Sequence, residues 1–70
     1  MTNRDRFIAL GRALHGARWQ RAVSRDLGHN DCRRVQRWTS GEYDAPDDVI
    51  DRLAAIARQR IDDLRDALKV

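Results

Sequence analysis

The chain has one cysteine, one proline, one methionine and one lysine in 70 residues. A lone thiol, Cys32, leaves no partner for an internal disulfide. His15, His29, Asp31 and Cys32 are the nearest thing to a metal set, and their spacing matches no usual zinc pattern. No apolar run approaches the ~18–20 residues of a membrane span. The start, MTNRDRF, lacks the apolar stretch of a secretory signal. These absences make a cytoplasmic protein the expectation, and a single free thiol is compatible with a reducing compartment. Catalytic equipment is missing as well. There is no defensible Ser/His/Asp arrangement, no glycine-rich phosphate loop and no pair of glutamates, and a chain this short has little room for a cleft. The expectation is therefore a protein that is not an enzyme, with no cofactor and no small-molecule ligand.

A chain of this length buries only about 60% of the surface that its unfolded form exposes. With neither disulfide nor metal to add, self-association is the natural remedy for so thin a core.

Acidic residues are scarce in the first part of the chain. Residues 1–41 hold nine arginines against Asp5, Asp26 and Asp31, so 9 − 3 = +6. Residues 42–70 hold four arginines and Lys69 against Glu42 and seven aspartates, so 5 − 8 = −3. A base composition rich in G and C would explain arginine in place of lysine, but not this asymmetry. The basic part points to a polyanionic partner, and the acidic part to a different task.

Apolar spacing predicts four helices. Asn3 is the expected N-cap of a first helix near 4–15, carrying Phe7, Leu10 and Leu14 and ended by Gly16. A second, about 18–27, places Trp19, Ala22, Val23 and Leu27 on one face and stops at Gly28, which suits a positive-φ cap. Asp31 is expected to cap a third, about 32–40, with Val35 and Trp38 inward and Gly41 closing it. Pro46 leads into a fourth, running without Gly or Pro from Asp47 to Lys69. Along it Ile50, Ala57 and Leu64 recur every seven residues, as do Ala54, Ile61 and Leu68. Together they form a heptad seam, widened by Leu53 and Ile56 in the first half only. At 1.5 Å per residue this helix spans about 33 Å, longer than a three-helix core can cover.

The stretch from Gln20 to Trp38 has the form of a short helix, a glycine turn and a second capped helix. Ser24 supplies a small residue where the two would cross. With Val35 and Trp38 anchored inward, Cys32, Arg33, Gln36 and Arg37 are left as an outward edge. Such an edge suits a DNA major groove, where arginine pairs bidentately with guanine and glutamine with adenine. Arg34 lies to the side and suits a phosphate, as do Arg18, Arg21 and Ser40.

This stretch resembles the helix-turn-helix of phage Cro/CI-type repressors. The string GARWQRAVSRDLG…RRVQRWTSGEYDAP, within residues 16–53, is similar to a group of small phage and bacterial regulators. Regulators of anti-CRISPR operons are one such class. The resemblance implies a phosphate-clamp role for Gln20 at the start of the second helix, and a regulator that shuts off its own operon. The sequence departs from the pattern twice. Gly28 to Val35 is seven residues rather than six, and His29 replaces an apolar residue.

The expected fold is thus all-α, a single domain with a three-helix helix-turn-helix core and a long C-terminal helix used for dimerisation. Residues 4–45 form the DNA-reading unit and 46–70 the long helix, with Ala57, Ile61, Leu64 and Leu68 at the dimer interface. The expected partners are double-stranded DNA and a second copy of the chain. Two alternatives stay open: an antitoxin or helical adaptor whose last helix binds a protein, and an excisionase- or terminase-like architectural DNA binder. Trp19 and Trp38 are expected in the core rather than as base-stacking platforms. Asp62, Asp63 and Asp66 are expected to pair along the helix with Arg58, Arg60 and Arg65.

Overall fold

A computed structural model of the chain describes residues 2–69. Four α-helices, α1 (Asn3–His15), α2 (Trp19–Asp26), α3 (Arg33–Ser40) and α4 (Asp47–Leu68), account for most of it. A 3₁₀ turn (Gly16–Arg18) joins α1 to α2, and no strand is present among the described residues. No helix there is long and apolar enough to cross a membrane.

The first helix is capped one residue earlier than its sequence suggests. Thr2 accepts from the backbone N–H of Asp5 at 3.1 Å, and Asp5 accepts from that of Thr2 at 3.4 Å, a reciprocal capping box. Asn3 is drawn away from the N-cap role by tertiary partners. Its Nδ2 donates to the Ala45 carbonyl at 2.9 Å and to Asp47 Oδ1 at 2.6 Å, tying the start of α1 to the start of α4.

α1 is the hub, because it packs against each of the other three helices. At its centre Phe7, fully buried, meets Trp19 and Trp38 edge-on, each ring centroid 5.5 Å away. Such edge-to-face pairs add about 0.5–1.5 kcal/mol each beyond their area burial. Leu14, Val23, Leu27, Val35, Ala45, Val49, Ile50 and Leu53 complete the core. Both tryptophans are therefore core residues, at 3% and 8% exposure. Gly11 lets the rings approach: a Cβ there would lie 2.1 Å from Cε3 of Trp19.

Gly28 ends α2 at φ 78° in a Schellman motif. His29 N–H donates to the Ser24 carbonyl at 2.8 Å, and Gly28 N–H to that of Arg25 at 3.0 Å. Arg52 of α4 reaches across to donate to the Leu27 carbonyl at 3.2 Å, supplying a further partner at this helix end. His15 meets Asp26 at 2.7 Å, joining the ends of α1 and α2.

α4 leaves the core behind. Val49, Ile50 and Leu53 are buried, and Ile56 and Ala57 are partly covered. Beyond them Ile61, Leu64 and Leu68 are 48%, 56% and 84% exposed. The molecule is accordingly elongated, 44 × 26 × 20 Å. Its radius of gyration is 12.6 Å, against about 11 Å expected for a compact chain of this length. The aspartates of this segment do not pair with the arginines as expected. Asp63 accepts from Gln59 at 3.0 Å and Asp66 meets Lys69 at 3.7 Å.

Candidate nucleic-acid interface

α2 and α3 are eight residues each, joined by residues 27–32. Ser24, the small residue expected at their crossing, is buried, at 2% exposure. Its hydroxyl donates back to the Gln20 carbonyl at 3.0 Å, so burying it leaves no orphaned donor. The turn is held at both ends. The Schellman hydrogen bonds fix its start, and Asp31 Oδ1 accepts from the Arg33 N–H at 3.0 Å at its end. Cys32, rather than Asp31, occupies the N-cap position and makes no side-chain cap. Asp31 thus closes the turn from one residue outside the N-cap.

His29 packs by its ring, as an apolar side chain would. Its ring lies against Trp38 with centroids 5.9 Å apart. The cost is Nδ1, which is buried without a hydrogen-bond partner.

α3 divides sharply. Val35 and Trp38 are buried, while Arg33, Arg34, Gln36, Arg37 and Ser40 are exposed and Cys32 is half-buried. Arg33, Gln36, Arg37 and Ser40 line one shallow depression together with Glu42. Two of these side chains are already engaged. The Arg37 guanidinium carbon lies 5.7 Å from the centroid of the Tyr43 ring, and Ser40 Oγ donates to the Arg37 carbonyl at 3.1 Å. Tyr43, itself 55% exposed, has no role assigned from the sequence. Arg33 sits 3.9 Å from Asp31, both well exposed, a pair too solvated to hold it. Arg34 is separated from this group and lines a hollow with Gly28, His29, Asn30 and Asp31.

A second, larger cleft gathers Arg18, Gln20, Arg21 and Cys32, and adds two residues that sequence reasoning missed, Arg4 and Arg12. Arg4, Ile8 and Arg12 repeat every four residues along α1, a spacing that puts them on one helix face. That periodicity was the available signal. Arg4 also donates from Nε to the Thr39 carbonyl at 2.7 Å, which fastens the last turn of α3 to α1. Thus Cys32 lies on the edge between the α3 surface and this basic cleft.

The proposed dimer residues are separate from both clefts. Ala57 is partly packed against the core, whereas Ile61, Leu64 and Leu68 project beyond it. No known family, no characterised protein and no solved structure matches the chain.

Proposed function

We propose that the chain is a sequence-specific DNA-binding transcriptional regulator: a homodimeric repressor that binds an inverted repeat in a promoter through the major groove. The observation that carries this reading is the division of α3. Its apolar residues are buried against α1, and Arg33, Gln36 and Arg37 stand together on the opposite, exposed side. Arginine and glutamine offer the paired donors and acceptors that distinguish guanine and adenine edges. Cys32 adds a fourth side chain at the start of the same edge. Gln20, Arg18, Arg21, Arg34 and Ser40 would hold backbone phosphates and so set the register. In this reading α2 and α3 act as a helix-turn-helix with a lengthened turn, in the manner of the phage repressors that the sequence resembles.

Dimerisation through α4 would place two copies of α3 in successive major grooves, about 34 Å apart. The charge around the seam bears on this. In heptad terms Arg58 and Arg65 flank it on one side and Arg60 on the other. A second copy sets arginine near arginine, at a few tenths of a kcal/mol for each exposed pair. Burying a leucine or isoleucine side chain contributes about 1.5–3 kcal/mol, so the apolar term wins. The same arginines favour one rival, an adaptor or antitoxin whose last helix takes an acidic helical partner.

Footprinting on the DNA upstream of the chain's own gene tests the proposal. A repressor protects one palindromic site with nanomolar affinity at physiological salt. Uniform binding of any duplex in the range of about 10⁻⁴–10⁻⁶ M would overturn it. A stable monomer by sedimentation would favour the rival.

A further inference from the structure

We infer that α1 carries a phosphate seat: the cleft that joins Arg4 and Arg12 to Arg18 and Arg21 takes a backbone phosphodiester of the duplex, beside the bases that α3 reads. This rests on the DNA-binding reading above. Four guanidinium groups from two helices and the 3₁₀ turn line this one cleft, with no carboxylate among its lining residues. None of the four takes part in the ion pairs among the described residues, which join His15 to Asp26, Arg33 to Asp31 and Lys69 to Asp66. An ordinary solvated face on so charged a chain interleaves acids. The carboxylate nearest in sequence, Asp5, is committed to the capping box.

Like charges brought together in this way repel, and a polyanion relieves that repulsion. Arginine is also the side chain best shaped to grip a phosphate through two parallel N–H donors. The cleft is open, and Thr39 of α3 and Cys32, its N-cap, also line it. A strand lying in it would therefore continue past the exposed face of the same helix. Arg4 is partly spent on the Thr39 carbonyl. Arg12, exposed and free of such a tie, is the cleaner probe.

The test is the salt dependence of binding by the full chain, wild type against Arg12→Ala and Arg12→Lys, on the footprinted site and on an unrelated duplex. Loss of one phosphate contact makes the slope of log K against log salt shallower by about 0.9. Between ~50 and ~200 mM salt the wild type should then lose about 3.5-fold more affinity than Arg12→Ala. Both duplexes should be affected alike, so discrimination between them is unchanged, and Arg12→Lys should keep the wild-type slope. Unchanged helicity and melting by circular dichroism exclude misfolding as the cause. A wild-type slope in Arg12→Ala, with site-specific binding intact, overturns the seat and leaves the DNA reading standing. No binding of any duplex by the wild type removes both. Calorimetric titration with inorganic phosphate supplies another arm. Saturable binding that Arg12→Ala abolishes would reassign the cleft to a free anion and overturn the proposal.

Discussion

At the scale of single residues, the tightest constraint is Gly11. Alanine is the better helix former by about 0.8–1 kcal/mol, yet the added methyl would collide with the Trp19 ring, which is itself held by Phe7. Gly11→Ala should therefore destabilise the fold by about 1–3 kcal/mol net, as overpacking does, and a chemical melt will measure it. His29 has the opposite prospect. Its orphaned Nδ1 costs free energy, while its ring only fills space on Trp38. His29→Leu should raise stability by about 1 kcal/mol, and an unchanged or lower melting temperature would show that the nitrogen is not a burden. On α3, Arg33→Ala or Arg37→Ala should weaken operator binding by about 1–3 kcal/mol and relax base preference at one position. Equal losses on all sequences would make that arginine a phosphate contact instead.

At the scale of elements, α4 performs two tasks along one length. Its first half closes the core through Val49, Ile50 and Leu53, and its second half carries Ile61, Leu64 and Leu68 into solvent. Replacing Ile61 and Leu64 by Asp should leave the first half folded and give monomers in sedimentation, with operator binding lost as well. A persistent dimer would put the interface elsewhere. The arginines beside the seam give this contact an unusual sign. Salt screens their mutual repulsion, so raising it should strengthen the dimer while it weakens the hold on DNA. Sedimentation and binding titrations over the same salt range would show whether the two trends diverge. The periodicities made all four helices legible in the sequence, because each buries a stripe set by its own residues. Their ends were less so. The Thr2 cap displaces the expected Asn3 cap because Asn3 is claimed by Ala45 and Asp47, contacts no local pattern encodes. The partners of Asp63 and Asp66 were misread for another reason: several i±3 and i±4 choices coexist on an exposed helix, and they differ by only a few tenths of a kcal/mol.

For the whole molecule, the organising fact is that α1 touches everything. The acids behind the charge asymmetry lie mainly in the loop and first turns of α4, at Glu42, Asp44, Asp47, Asp48 and Asp51, and not on the projecting end, where four basic residues from Arg58 to Lys69 face three aspartates. The exposed edge of α3 was readable from Val35 and Trp38 alone, since fixing two inward residues fixes the rest of a helix. The cleft between α1 and α2 was not, because Arg12 and Arg18 come together only when Trp19 turns α2 back across Gly11. Arg37 and Tyr43 were likewise joined by the path of the chain after Gly41 rather than by any helical spacing.

The aromatic trio has an optical consequence. Trp19 lies beneath the arginine cleft and Trp38 on the underside of α3, so each indole is a native fluorophore directly behind one of the two surfaces proposed to meet DNA. Removing one at a time by Trp→Phe leaves a chain whose remaining emission reports a single helix. Rearrangement of either helix during binding or unfolding can then be followed by its own light, with no dye attached.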